Sequence, residues 1–307
     1  MSETNDFSFL KKLIDAFKLL SLIMKVDSEI YIHNGGFIGT LTLLARKKNI
    51  LMMASDAFIN KALINKKIRG FSSSKLDLDN IGMFLSIKMA DSVTVQNKTQ
   101  KNLLEQNFQV EGKLIRNPIP HKNRFKKTYK QNPPIVLWVG SLAEVKQPQL
   151  FVELARDIPD VKFQMIGGKS GSPELYQEIM YSSHNLDNFE YLGVIPYEKI
   201  DQYFCKATIL VNTSLFEGFP NSFLQAWINY LPVVSLNVNP DNILSTYSMG
   251  LHSKNFRHLK DDVKNLLCNS ELMMEMGLNG RMYVEEHHDI KFIVSDYVNL
   301  IYSLTEH

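Results

Sequence analysis

The 307-residue chain sets 34 Lys+Arg against 32 Asp+Glu, for a formal charge of +2, and is 45% hydrophobic and 21% charged. This is a globular composition that excludes intrinsic disorder, and outside local patches its charge balance gives no reason to expect nucleic acid or a membrane as partner. Two cysteines make no disulfide framework and fit a reducing cytoplasm, no Cys/His spacing suggests a metal site, and no apolar run is long enough to span a bilayer.

The opening MSETNDFSFLKKLI is interrupted by charges, so it is not a secretory signal. Leu10, Leu13, Ile14, Phe17, Leu20 and Met24 then form a helical stripe, read as core-facing with a membrane-surface helix as the alternative. EIYIHNGG, NILMMAS, DSVTVQN and GKLIRNP read as strands, with helices over 38–46 and 98–108. The segment 61–88 is expected to be helical in part, its SSSK stretch a mobile loop. His33 ends the first strand and is a base, a phosphate contact or a satisfied loop residue. Ser55 and Asp56 end the second, and Asp56 either binds a ligand hydroxyl or caps the helix after it. Asn97 and Thr99 suit helix capping, and Arg116 either reaches a cleft or braces a linker.

NPIPHKNRFKKTYKQNPP, 117–134, is bracketed by prolines and basic within, as a linker would be. Its Lys122, Arg124, Lys126, Lys127 and Lys130 are read as solvated, attraction to anionic lipid or a phosphorylated acceptor being the sharper alternative.

From Pro133 the alternation is regular. PPIVLWVG, VKFQMIGG, FEYLGVI, ATILVNTS and LPVVSL are strands, interleaved with the helical KQPQLFVELARDI, SPELYQEIMYSS and PYEKIDQYFCKA; NILSTYSM is a further helix. Such alternation implies parallel crossovers and ligands at the carboxyl ends of strands. LKDDVKNLLCNSELMMEMGLNGRMYVEEHHD reads as two helices. Phe292, Ile293, Tyr297, Leu300, Ile301 and Leu304 mark the apolar face of a last one. The fold class expected is α/β: two Rossmann-like domains, 1–117 and 118–307, facing a cleft, with the last helix (about 290–306) packing back on the first.

Several strand ends carry chemistry. After PPIVLWVG comes GSLAEVKQP, where Gly140 exposes backbone N–H groups, Ser141 adds a hydroxyl and Lys146 brings an ammonium near a helix start, as phosphate binding requires. Gly167 and Gly168 end the next strand and permit close approach or merely a tight turn. Gly193, Val194 and Ile195 come after the third, apolar enough to hold a base ring. The fourth end is LFEGFPNSFLQAW. Gly218 and Pro220 shape its turn beside Phe219, Asn221 or Ser222 caps a helix, and Glu217 can accept from sugar hydroxyls. Ser222-Phe223-Leu224-Gln225 also fits a capping box.

FEGFPNSFLQAWINYLPVV is similar to the signature of the retaining GT-B-fold glycosyltransferases usually called family 4, and VLWVGSLAEVKQPQLFVELARDIPDVKFQMIGG resembles their VGRL…K segment. The ordered motifs cover residues 91–307. The resemblance implies sugar transfer from a nucleotide diphosphate sugar, held by 118–307, to a glycan or lipid-linked acceptor on the side of 1–117, without metal or other cofactor, in the cytoplasm, with peripheral association at the inner membrane face as the alternative. Lys146 would meet the diphosphate, Glu217 the transferred sugar and the 218–222 backbone the same pocket, while His33 falls where the family often carries histidine.

Three departures stand out. Ser141 replaces an arginine, which removes a charge-assisted contact of about 1.5–3 kcal/mol unless something replaces it. Gln225 replaces the ribose-binding glutamate, leaving ribose contact, capping or both open. Nothing before Phe9 resembles the family's opening strand and glycine-rich loop, so a minimal domain, a truncated form and a completing polypeptide are all expected alternatives. These departures support a rival reading, a non-catalytic or partner-dependent relative that retains only nucleotide-sugar binding.

Overall fold

A computed structural model describes residues 15, 17–45, 47–59, 78–120 and 132–306. The chain is α/β and forms two compact units, one of residues 1–116 with 294–307, the other of residues 117–293.

The first unit carries a four-stranded parallel sheet in the order β1 (Ile30–His33), β2 (Lys48–Met52), β3 (Ser92–Val95), β4 (Gly112–Leu114). Helix Gly36–Leu44 connects β1 to β2, and helix Lys98–Phe108 connects β3 to β4. The latter starts where Asn97 accepts the Gln100 N–H, a side-chain cap at an end that otherwise leaves its first N–H groups unpaired. Helix Leu78–Met89 occupies part of the stretch expected to be helical; the SSSK stretch and the basic middle of the linker lie outside the described residues.

Two apolar stripes need correction. Residues 17–25 are helical, but Ile23, with Leu19 and Leu20, packs towards Leu41, whereas Phe17 and Met24 are exposed. In the last helix, Ile290–Thr305, Ile293 and Leu300 are buried as expected, but Phe292 is 64% exposed. In both helices the outlying residues of the stripe fall beyond the arc that meets the neighbouring element.

The second unit has the strands β5 (Ile135–Val139), β6 (Lys162–Ile166), β7 (Phe189–Tyr191), β8 (Ile209–Asn212), β9 (Val233–Ser235) and β10 (Gly250–His252). They form one parallel sheet ordered β10-β9-β8-β5-β6-β7. Both faces are covered, which explains the near-continuous apolar runs. On β5, Val136 and Trp138 enter one core with Phe151 and Phe163, while Ile135 and Leu137 enter the opposite core with Phe204 and Trp227, the period-two alternation of a pleated strand. β10 is the strand the sequence pattern does not announce: Gly-Leu-His has no β-branched run. Its glycine is required by close approach, because a Cβ on Gly250 would lie 2.3 Å from the Val233 carbonyl oxygen.

Candidate active site

In the second sheet β5, β6 and β7 run outward one way from the centre, and β8, β9 and β10 the other way. The β5/β8 boundary is therefore a topological switch point, where the connections after two adjacent parallel strands diverge and leave a crevice at their carboxyl ends. Lys146 lies in the short 3-10 turn Glu144–Lys146 after β5, and Glu217 in the loop after β8. They form an ion pair, Lys146 Nζ donating to Glu217 Oε1. Ser214 Oγ donates to the same oxygen at 2.7 Å. The two charged side chains are 23% and 16% exposed, so the pair is screened less than a surface one. Expected as separate contacts, to diphosphate and sugar, Lys146 and Glu217 are joined directly.

Their backbones are fixed as well. Thr213 Oγ1 donates to the Lys146 carbonyl at 2.7 Å and accepts from the Trp138 indole N–H at 2.9 Å, while the Leu215 N–H donates to the Val145 carbonyl at 2.8 Å. Glu144 holds the next loop: its carboxylate accepts from the Ser172 N–H at 2.8 Å, and this bond is the main cause of its lowered pKa.

Glycines line the rim. The Gly140 N–H donates to the Ile166 carbonyl, Leu142 N–H to Gly168 and Gly167 N–H to Gly193, so the loops after β5, β6 and β7 continue the sheet as a backbone ledge. A Cβ on Gly167 would lie 1.6 Å from the Gly140 oxygen, which no side chain permits. Ser141 is exposed beside this ledge. Val194, 73% exposed, stands by Gly168, whose added Cβ would meet its Cγ2 at 3.1 Å.

The helix after the turn runs Asn221–Ile228, with Pro220 as its N-cap and no side-chain cap bond. This corrects the expectation that Asn221 or Ser222 caps it. The Ser222–Gln225 capping box does not form either, because Ser222 already lies within the first helical turn rather than ahead of it. Gln225 is half-buried. Asn221 is drawn elsewhere: its Oδ1 accepts from Asn117 Nδ2 at 2.9 Å, and the same amide donates to the Phe219 carbonyl at 3.1 Å. Gly218, Phe219 and Pro220 thus form a turn tied to the start of the linker. His288 completes the tie. Because a carbonyl can only accept, the 2.7 Å contact between His288 Nδ1 and the Asn117 oxygen places the proton on Nδ1. Below the turn Phe219, Phe223, Trp227 and Tyr283 form an aromatic stack, and the Trp227 N–H donates to the Met249 carbonyl at 3.1 Å. Arg281 Nη1 donates to the Ile228 carbonyl at the far end of the helix, where its charge favours the helix dipole.

His33 and Asp56 belong to the first unit. His33 Nδ1 accepts the Gly35 N–H at 3.0 Å, which puts the ring proton on Nε2 and engages the Nδ1 lone pair. Burial lowers its pKa, opposed by nearby Asn49. Helix Gly36–Leu44 covers it through Gly39, where a Cβ would fall 2.7 Å from His33 Nδ1. Asp56 Oδ1 accepts from Gln100 Nε2 at 2.9 Å, while Ser55, not Asp56, caps the following turn by accepting the Ala57 N–H.

Residues missed by sequence reasoning are Thr213, Ser214, Asn117 and His288. The run Asn212-Thr213-Ser214, three hydrogen-bonding side chains closing an apolar strand, was the available signal for the first two. A cavity of about 380 Å³ lies along β10 and is lined in part by Ser245, His252, Lys254 and Glu275, none of them in the set above.

The profile of the family described as glycosyl transferases group 1 matches residues 121–283, more than half the chain. The chain belongs to this family. It is 24% identical over 289 residues to the uncharacterized glycosyltransferase MJ1178 of Methanocaldococcus jannaschii, covering 90% of this chain and 76% of that one. It is also 24% identical over 184 residues to the poly(ribitol-phosphate) alpha-N-acetylglucosaminyltransferase of Staphylococcus aureus, covering 56% and 36%. Among solved structures, the sucrose-phosphate synthase of Thermosynechococcus elongatus superposes with a TM-score of 0.79 at 20% identity, covering 97% of this chain and 78% of that one. A variant of S. aureus TarM in complex with Fondaparinux, alpha-GlcNAc-glycerol and UDP gives 0.71 at 20%, covering 93% and 57%. Anabaena HepE in complex with UDP-glucose gives 0.74 at 14%, covering 94% and 82%. These likenesses give the GT-B type of fold. The chain spans little more than a third of the staphylococcal relative and under two thirds of TarM.

Proposed function

We propose that this protein transfers a sugar from a nucleotide diphosphate sugar to a glycan or lipid-linked acceptor with retention of anomeric configuration and without a metal ion. The observation that carries this reading is the Lys146–Glu217 pair at the β5/β8 switch point. Lys146 has three N–H donors; one is given to Glu217, and two remain for phosphate oxygens. Glu217 takes both protein donors on Oε1, so Oε2 is the oxygen to accept from a sugar hydroxyl. The first-turn N–H groups of Asn221 and Ser222, with no side-chain cap before them, add donors for an anion. Gly140 and Gly168 admit the ligand to the ledge, Ser141 offers one hydrogen bond, Val194 flanks a base ring and Gln225 reaches ribose.

In the transfer, the C1–O bond to the diphosphate breaks and the acceptor oxygen bonds to C1 on the same face. The acceptor proton passes to the leaving phosphate oxygen. Lys146 offsets the charge that develops there, which is the dominant contribution in a site with preorganised donors. The uridine nucleotides in the TarM and HepE complexes support a uridine diphosphate sugar as the first donor to try. The uncharged Ser141 and Gln225 favour the rival reading of nucleotide-sugar binding without transfer.

The test is thermal unfolding, plus release of nucleoside diphosphate, with UDP-N-acetylglucosamine, UDP-glucose, GDP-mannose and ADP-glucose. Stabilisation by one donor together with slow release of its nucleotide supports transfer. Stabilisation without release favours the rival, and a folded sample that responds to none sinks both.

A further inference from the structure

We propose that Thr213 and Ser214, consecutive at the end of β8, are positioning residues that set Lys146 and Glu217 separately, one through the lysine backbone and the other through the carboxylate. The inference rests on the donor-site reading above.

Both side chains are buried, Thr213 at 0% and Ser214 at 2% exposure, so their hydroxyls have no water to satisfy them. Each hydroxyl also has a fixed direction. The Asn212 amide donates to Ser214 Oγ at 3.3 Å, and the Ser214 N–H donates to Asn212 Oδ1 at 3.2 Å. With its oxygen occupied by a donor, the Ser214 hydroxyl hydrogen goes to Glu217 Oε1. Asn237 Nδ2 holds the Ser214 carbonyl at 3.2 Å, anchoring this arm to the loop after β9. The Thr213 hydroxyl is oriented in the same way from the other side. The Trp138 indole can only donate, so it takes the Thr213 oxygen and turns the hydroxyl hydrogen to the Lys146 carbonyl. Lys146 directly precedes Gln147, whose φ of 47° is unusual for a side-chain-bearing residue, and the bond on the Lys146 carbonyl adds to the Lys146–Ala143 and Gln147–Glu144 backbone bonds that hold this turn.

The consequence is a division of labour. Ser214 aims the carboxylate oxygens and chooses which is presented to sugar. Thr213 sets where the ammonium starts from. Loss of the first should act on turnover, and loss of the second on donor binding.

The experiment compares full-length Ser214→Ala, Ser214→Thr, Thr213→Val and Thr213→Ser with wild type, using whichever of UDP-N-acetylglucosamine, UDP-glucose, GDP-mannose or ADP-glucose the wild type hydrolyses. Ser214→Ala is expected to lower kcat by about tenfold to a hundredfold with donor KM changed less than about threefold, and Ser214→Thr to recover most of it. Thr213→Val is expected mainly to raise KM, with recovery in Thr213→Ser. As a readout independent of turnover, acetylation of Lys146 by acetic anhydride, followed by mass spectrometry, should speed up in Thr213→Val relative to the other lysines and stay near the wild-type rate in Ser214→Ala. Equal losses in kcat and KM that track melting temperature, or unchanged kcat in Ser214→Ala together with unchanged Lys146 labelling in Thr213→Val, would overturn the proposal. A wild type that hydrolyses no donor fails the donor-site reading, and the labelling comparison then decides the positioning claim alone.

Discussion

Lys146 and Glu217, 71 positions apart in the chain, meet on a single carboxylate oxygen that also takes the Ser214 hydroxyl. Two loops diverging from adjacent strands bring them together. Glu217→Gln keeps the shape and removes the charge. Nucleoside diphosphate release should fall by about a hundredfold or more, with a melting temperature within a few degrees of wild type. Turnover within twofold of wild type would remove Glu217 from the mechanism.

The glycine ledge gives a stability prediction. Gly167→Ala places a methyl where the Gly140 oxygen already lies, and two backbones would have to part. A loss of about 1–3 kcal/mol or more is expected from urea unfolding. Gly193 is the control. Nothing lies within 4 Å of its would-be Cβ, but its φ is +68°. Gly193→Asn should be tolerated better than Gly193→Val, because asparagine enters the left-handed region at lower cost than a β-branched residue. Equal losses for the two Gly193 variants would contradict the backbone argument.

Gly280 has a different reason to be bare. It lies on helix Ser270–His287, where an added Cβ would come 2.2 Å from Trp227 Cδ1. Gly280→Ala should destabilise by about 1–3 kcal/mol although alanine is the better helix former, and pairing it with Trp227→Phe should recover part of the loss. A double-mutant cycle by urea unfolding checks this; strict additivity would show that the two sites do not couple.

The sequence made the alternation of strands and helices legible because parallel strands buried on both faces read as apolar runs between amphipathic helices. Lys146, Glu217 and the glycines were legible because charge and bare backbone at strand ends are conspicuous. Three things were hidden. β10 is held by backbone proximity at Gly250 rather than by β-branched side chains. The motif helix begins after Pro220 with no side-chain cap, and the Asn221 side chain accepts instead from Asn117, about a hundred positions away. His33 stood out because imidazole commonly carries chemistry; that the Gly35 N–H occupies its Nδ1 is visible only in the fold.

Two histidines predict a pH dependence of stability. Burial is the leading cause that lowers the pKa of both His33 and His252; for His252 the Lys254 charge adds to it, while a backbone bond with Asn237 opposes it. Each therefore binds more protons unfolded than folded near its titration, so stability is complete above the unfolded value of about 6.5 and is lost as pH falls through the folded ones. The urea midpoint should decline from pH 7.5 to 5.5, and His33→Gln should flatten that decline. An equal slope in the variant would show that His33 does not contribute.

The central claim is that the Lys146–Glu217 pair at the β5/β8 switch point receives the diphosphate of a nucleotide sugar. Calorimetric titration of UDP, UDP-glucose and UDP-N-acetylglucosamine into wild type and Lys146→Met tests it most directly. The wild type is predicted to bind at least one of them, and Lys146→Met, while folded, to bind it about tenfold to a hundredfold more weakly, as loss of a charge-assisted contact requires. Equal affinity in the two proteins, or no binding to the wild type, would contradict it.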